Sequence, residues 1–124
     1  MKRHDNGLKG LLAATGYSMK GIRACWQNEA AFRADVSISV VLFAASFFLA
    51  KSVEQWLLLV SPLVLIIIVE LLNSAVENIV DRIGDEFHEL SGRAKDMGSA
   101  AVFFCWIIIG MAWLSIAWLN LTQV

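Results

Sequence analysis

The chain has few of the residues that staple or punctuate a soluble fold, with two cysteines and one proline in 124 residues. Cys25 and Cys105 stand far apart and show no CxxC or Cys/His spacing. That argues against a disulfide framework or a zinc site and leaves both as packing residues. Charge of one sign is also lacking: the net charge is −1, so no nucleic acid or other polyanionic partner is expected. The opening MKRHDNGLKGLL has neither a long apolar stretch nor a small-residue cleavage site, so no signal peptide is expected. Nucleotide-binding loops are missing too, with no GxxxxGKS/T, no GxGxxG, no HRD and no DFG.

Apolar sequence, by contrast, is abundant. The hydrophobic fraction is 58% and the mean hydropathy +0.65, whereas about half apolar is usual for a soluble domain. A helix needs about 20 residues to cross about 30 Å of hydrocarbon. Three segments reach that length, at about 30–50, 53–83 and 97–121, within a single membrane domain. The first contains VSISVVLFAASFFLA, with Arg33 and Asp35 near its start. The second holds Pro62, which membrane helices tolerate, and extends past the apolar run toward the cytoplasm. The third, MGSAAVFFCWIIIGMAWLSIAWLNL, contains no charge.

Residues 6–28 pattern differently. Leu8, Leu11, Leu12, Met19, Ile22 and Trp26 share one helical face, and Lys9, Gly16, Lys20, Arg23 and Gln27 fall roughly opposite. This predicts an amphipathic helix lying in the headgroup plane. The fold class is therefore all-α integral membrane, a surface helix followed by three spans. Lys2, Arg3, Lys9, Lys20, Arg23 and Arg33 precede or begin the first span, and Arg82, Arg93 and Lys95 precede the third. By the positive-inside rule the N-terminus and a loop over 84–96 are cytoplasmic and the C-terminus is outside. Trp26 then belongs to the inner interface, and Trp56 and Trp118 to the outer one.

The most informative stretch is VELLNSAVENIVDR. Glu70 and Asn73 lie within or just past an apolar run, where a carboxylate is costly without a partner or a task. Glu70 is about 15 residues, or roughly 22 Å, from Gln55, and Glu77 lies about 10 Å further toward water. At 100° per residue, a separation of seven returns to nearly the same face. Glu29 and Arg33 stand at the same cytoplasmic level, either as part of a site or as a plain i,i+4 pair. The stretch DRIGDEFHELSGRAKD adds Asp81, Asp85, Glu86, His88, Glu89, Arg93, Lys95 and Asp96. Paired carboxylates can hold Mg²⁺, Lys95 can offset phosphate charge, and a half-buried carboxylate can accept a proton from a hydroxyl. These are the parts of phosphoryl transfer. Solvated loop charges, or Glu70 and Asn73 as interhelical hydrogen-bonding groups, remain the plain alternative. A proton-coupled transporter also fits these residues.

As a pattern, AATGYSMKGIRACWQNEAAFR and VELLNSAVENIVDRIGDEFHELSGRAKDMGSAAV, with three spans in this order, closely resemble the prokaryotic diacylglycerol kinase family over nearly the whole chain. The resemblance implies a homotrimer in the bacterial inner membrane that transfers the ATP γ-phosphate to diacylglycerol, with Mg²⁺ as cofactor. It implies Glu70 as catalytic base, with Asn73 orienting it, and Glu29 and Glu77 as metal-binding carboxylates. Tyr17, Glu86, Phe87, His88, Lys95 and Asp96 match nucleotide-contacting positions, together with Glu29 and Glu77. Arg23, Ala31, Asp35, Trp56, Ser99 and Trp113 match positions associated with the lipid substrate, together with Glu70. Two positions depart from the family pattern. Gly10 stands where a basic residue is frequent, and Phe87 where a tyrosine is common. Undecaprenol kinases share the carboxylates, although RAKDMGSAAV favours diacylglycerol. Small residues at Gly98, Ser99, Ala100 and Ala101 suit close helix contacts in an assembly whose single chains are too thin to shelter a site.

Overall fold

A computed structural model of the chain describes residues 6–123. Lys2, Arg3 and His4 lie outside the described residues, as does the terminal Val124. The chain folds into α1 (Gly7–Asn28), α2 (Ala30–Leu49), α3 (Val53–Ile83) and α4 (Glu89–Thr122). The last three are each long and apolar enough to cross a membrane.

The connections are short, so consecutive helices lie side by side. Glu29, in an extended conformation, is the single residue between α1 and α2. The turn between α2 and α3 is closed by Ser52, whose hydroxyl accepts the Gln55 N–H at 3.1 Å. Between α3 and α4 only residues 84–88 are non-helical. The expected loop over 84–96 is thus corrected: α4 begins at Glu89, and its first turns are polar helix. Its start is capped by His88, whose Nδ1 accepts the Leu90 N–H at 3.1 Å. An i,i+4 pair, Arg93 with Glu89 at 3.2 Å, lies on the same turns. Hydropathy marks where a helix leaves the membrane, not where it ends.

The core is the α3–α4 seam. Leu63, Ile66, Cys105 and Ile109 are buried together, and Leu42, Ile67, Val69, Val102, Trp106 and Trp113 pack against them. Pro62 is buried in α3 and cannot donate to the carbonyl four residues earlier. On the same turn the Trp113 indole donates to the Leu59 carbonyl at 3.1 Å. The carbonyl freed by the proline is that of Leu58, so the indole bond to Leu59 is an added tie between α3 and α4 beside it.

A polar clasp joins the three span ends on the side remote from Glu29. Asn120, buried, donates through Nδ2 to the Leu49 carbonyl at 2.7 Å and to Gln55 Oε1 at 2.8 Å. Gln55 Nε2 returns a bond to Asn120 Oδ1 at 3.0 Å, and Lys51 Nζ reaches the Asn120 carbonyl at 3.0 Å. Much of the remaining apolar surface faces outward: Phe48 is 92% exposed, and Leu72, Phe103, Phe104 and Met111 are also exposed. In water such a surface would aggregate. It suits hydrocarbon or further copies of the chain.

Candidate active site

Glu70 is 4% exposed, on the α3 surface that faces the other helices. The acidic groups around it come from three elements. Asp35 on α2 brings its carboxyl within hydrogen-bonding reach, Glu77 lies two turns on along α3, and Glu29 sits at the α1–α2 join. Glu70 and Glu77, expected on one helical face, both lie on α3, and Asp35 and Glu29 are acidic neighbours of Glu70 from other elements. A carboxyl group at this burial is retained in a span only with partners or a function.

Asn73, one turn past Glu70, turns its amide toward α4. Its Oδ1 is buried without a hydrogen-bond partner among the described residues. It presses on Gly98, where an added Cβ would stand 3.0 Å from the Asn73 Cγ and closer still to Oδ1. Close approach, not backbone angle, favours a glycine there, because any Cβ would have to displace the Asn73 amide. Ser99, Ala100 and Ala101 are exposed in the single chain.

Beside these carboxylates, α1 and α3 enclose a cavity of about 620 Å³, lined by Cys25, Asn28, Glu29, Ser74 and Asn78 among others. Cys25 closes its inner wall, with its thiol 3.3 Å from the Ser74 hydroxyl. Burial pushes the Cys25 thiol up from its ordinary value, more than the bond to Ser74 lowers it. Both cysteines are free and buried, consistent with a packing role. The bond to Ser74, across the α1–α3 seam, was not anticipated.

A second cavity, of about 570 Å³, opens between the ends of α3 and α4. Asp81, Asp85, Glu86, Phe87, His88 and Lys95 line it. This volume falls within the range of small-molecule sites. Lys95 Nζ lies 2.7 Å from Asp81 Oδ1. Because His88 spends Nδ1 as an acceptor, Nε2 is the N–H donor of the neutral ring. Asp96 lines a neighbouring cavity of about 500 Å³ with Phe87, Arg93 and Met97.

The other predicted residues are more scattered. Tyr17 lies on α1, with the Lys20 ammonium 6.0 Å from its ring centroid. Arg23 and Ala31 are exposed near the α1–α2 join, and Ser99 is exposed on α4. Trp56 and Trp113 stand apart from the carboxylates. Trp56 packs on Phe47, 5.7 Å between centroids, and lies 14 residues before Glu70, about 21 Å along α3. Trp113 is engaged with Leu59, about 16 Å from Glu70 by the same measure. Sequence reasoning did not single out Asn120 or the Asp81–Lys95 pairing.

The three long apolar helices, with buried Glu70 and half-buried Glu77 on one of them and a mostly acidic cavity where α3 meets α4, define a helical membrane protein with a carboxylate-rich site. Residues 16–117 match the family described as prokaryotic diacylglycerol kinase. The chain is 46% identical over 119 residues to a diacylglycerol kinase of Escherichia coli, covering 95% of this chain and 97% of that protein. It is 47% identical over 107 residues to one of Haemophilus influenzae, covering 86% and 91%. It is 48% identical over 112 residues to one of Pseudomonas aeruginosa, covering 90% and 91%. The chain belongs to the prokaryotic diacylglycerol kinase family. It is accordingly an enzyme, a membrane-embedded kinase that uses ATP as co-substrate.

Proposed function

We propose that the chain transfers the γ-phosphate of ATP to the primary hydroxyl of diacylglycerol, giving phosphatidic acid at the cytoplasmic face of the bacterial inner membrane. The observation that carries this reading is the burial of Glu70 on the same helix as half-buried Glu77, two turns nearer water. A lipid hydroxyl is confined to the boundary and ATP to the aqueous side. A base at the first depth and a nucleotide-holding carboxylate at the second meet both constraints. In the reaction the hydroxyl oxygen bonds to the γ-phosphorus, and its proton passes to the Glu70 carboxylate. The β,γ-bridging P–O bond breaks, and ADP leaves with the electron pair.

Glu29 and Glu77 fit a magnesium ion. Their oxygens are the hard donors it favours, and it takes few carboxylates from protein when phosphates and water complete its shell. Among the described residues no three His, Cys, Asp or Glu side chains are grouped to hold a metal by themselves. When bound, magnesium would offset charge on the phosphates. Lys95 offsets more of that charge, while Tyr17, Glu86, Phe87, His88 and Asp96 serve the nucleotide. Asn73, held against Gly98, orients Glu70. Asp35, Arg23, Ala31 and Ser99 border the lipid headgroup, and Trp56 and Trp113 its chains.

The chain works as a homotrimer with α1 in the headgroup plane, its N-terminal side cytoplasmic and its C-terminal side periplasmic. Supporting this are the exposed Leu8, Leu11, Leu12, Met19 and Trp26 of α1 and the uncovered apolar faces of the spans. The deciding experiment offers the detergent-solubilised protein labelled ATP and Mg²⁺ with diacylglycerol or undecaprenol. Label entering diacylglycerol alone is the expected result. Label in undecaprenol alone overturns the substrate, and proton-driven flux without ATP turnover overturns the kinase.

A further inference from the structure

The join between α1 and α2 is a bend one residue long. Glu29 sits at φ −117°, ψ 108°, outside the helical region. Its N–H still donates to the Cys25 carbonyl at 2.9 Å, and the Arg33 N–H donates to the Glu29 carbonyl at 3.2 Å. Each helix therefore runs its ladder up to the bend, where the bonds that would join the two are interrupted.

The C-terminal end of a helix carries partial negative charge and carbonyls short of donors. α1 has no basic residue in its own last turn. The cation comes from the next helix, where Arg33 Nη1 donates to the Trp26 carbonyl at 2.7 Å. In a continuous helix that carbonyl would receive the Ala30 N–H; at the bend the guanidinium takes its place. The plain i,i+4 pair between Arg33 and Glu29 is not what the structure forms. Among the described residues the ion pairs are Arg93–Glu89 and Lys95–Asp81. The Glu29 carboxylate is left to line the α1–α3 cavity with Ser74 and Asn78.

We infer that Arg33 is a positioning residue: by ending α1 through the Trp26 carbonyl, its guanidinium fixes the bend and aims the Glu29 carboxylate across the cavity at α3. This rests on the reading of Glu29 as a carboxylate for the magnesium nucleotide. Cys25, one turn before Glu29 and bonded to Ser74, reports on the same seam without reference to activity. Cys105, buried on α4, is a reference thiol within the same molecule.

The test compares Arg33→Gln, which loses the charge, with Arg33→Lys, which keeps the charge but not the planar fork. The full chain is reacted with a small maleimide, and labelling of each cysteine is followed by peptide mass spectrometry. Arg33→Gln is expected to speed Cys25 labelling about fivefold relative to Cys105, the scale of a lost charge at a helix end. The Mg²⁺ concentration for half-maximal turnover should rise about threefold, with kcat at saturating Mg²⁺ changed by less than about twofold. Arg33→Lys should fall between Arg33→Gln and the parent on both measures. Unchanged Cys25 labelling in Arg33→Gln overturns the inference, and so does a rise shared equally by both cysteines. Faster Cys25 labelling with an unshifted Mg²⁺ requirement also overturns it, because the bend would then not aim Glu29. A normal Mg²⁺ dependence in Glu29→Gln would instead sink the metal reading of Glu29, leaving the labelling to decide whether Arg33 holds the bend.

Discussion

Asn73 on α3 lies directly against Gly98 on α4, with its buried Oδ1 turned toward the glycine. The contact locks the amide at the level where Glu70 begins the acidic stripe. Gly98→Ala must therefore either part the helices or swing the Asn73 amide off Gly98. Overpacking of this kind costs about 1–3 kcal/mol, and displacement of about 1 Å near reacting groups costs up to about a hundredfold in rate. Turnover of Gly98→Ala should fall at least about tenfold by that measure. Gly110→Ala is the control, since nothing lies within 4 Å of a Cβ placed there. Equal activities would remove Asn73 from the mechanism.

Glu70 and Glu77 should separate by the kind of defect each produces. Glu70→Gln keeps shape and hydrogen bonding but cannot take the hydroxyl proton. Turnover should drop by about 10²–10⁴, the contribution of a positioned base, while nucleotide affinity measured by equilibrium binding stays near that of the parent. Glu77→Gln should raise the Mg²⁺ requirement instead. A Glu70→Gln enzyme that turned over normally would refute the base assignment.

That those two carboxylates share one helix two turns apart was legible in the sequence because it depends only on helical rise and repeat. Span lengths were legible for the same reason. The start of α4 was not. Hydropathy sees DEFHELSGRAKD as a loop, whereas His88 capping and the Glu89–Arg93 pair make residues 89–96 helical outside the apolar run. The bend at Glu29 was hidden because QNEAAFR contains no glycine or proline to announce a break. Arg33 reads equally well as an i,i+4 partner until its donor is seen on Trp26. Trp113 and Asn120 act through partners more than 50 residues away in sequence, which local patterns do not record.

Lys95 is held by Asp81 at 2.7 Å in the cavity shared with Glu86 and His88. The pair is well exposed, so it adds little to stability. Its consequence lies in where it keeps a flexible ammonium. Asp81→Asn should raise the KM for ATP about threefold through lost pre-organisation, with the melting temperature unchanged. A lower KM would show that Asp81 competes with the phosphates for Lys95. Steady-state kinetics beside a thermal melt distinguish the two outcomes.

The clasp at the opposite end predicts the reverse pattern, with stability lost and chemistry kept. Asn120 ties the end of α2 through the Leu49 carbonyl and the start of α3 through Gln55, and its own carbonyl holds Lys51. Asn120→Leu fills similar volume but leaves the Leu49 carbonyl and the Gln55 amide without these partners. Interhelical hydrogen bonds in membranes average about 0.6 kcal/mol, and the neutral side chain makes three here. A loss of about 2 kcal/mol is expected, read as a lower melting temperature in detergent. Glu70 lies on the same helix about 22 Å from Gln55, so the KM for ATP of the folded fraction should hold. If that KM changed together with stability, the clasp would be setting the register of α3 against α4 down to the carboxylates rather than fastening one end.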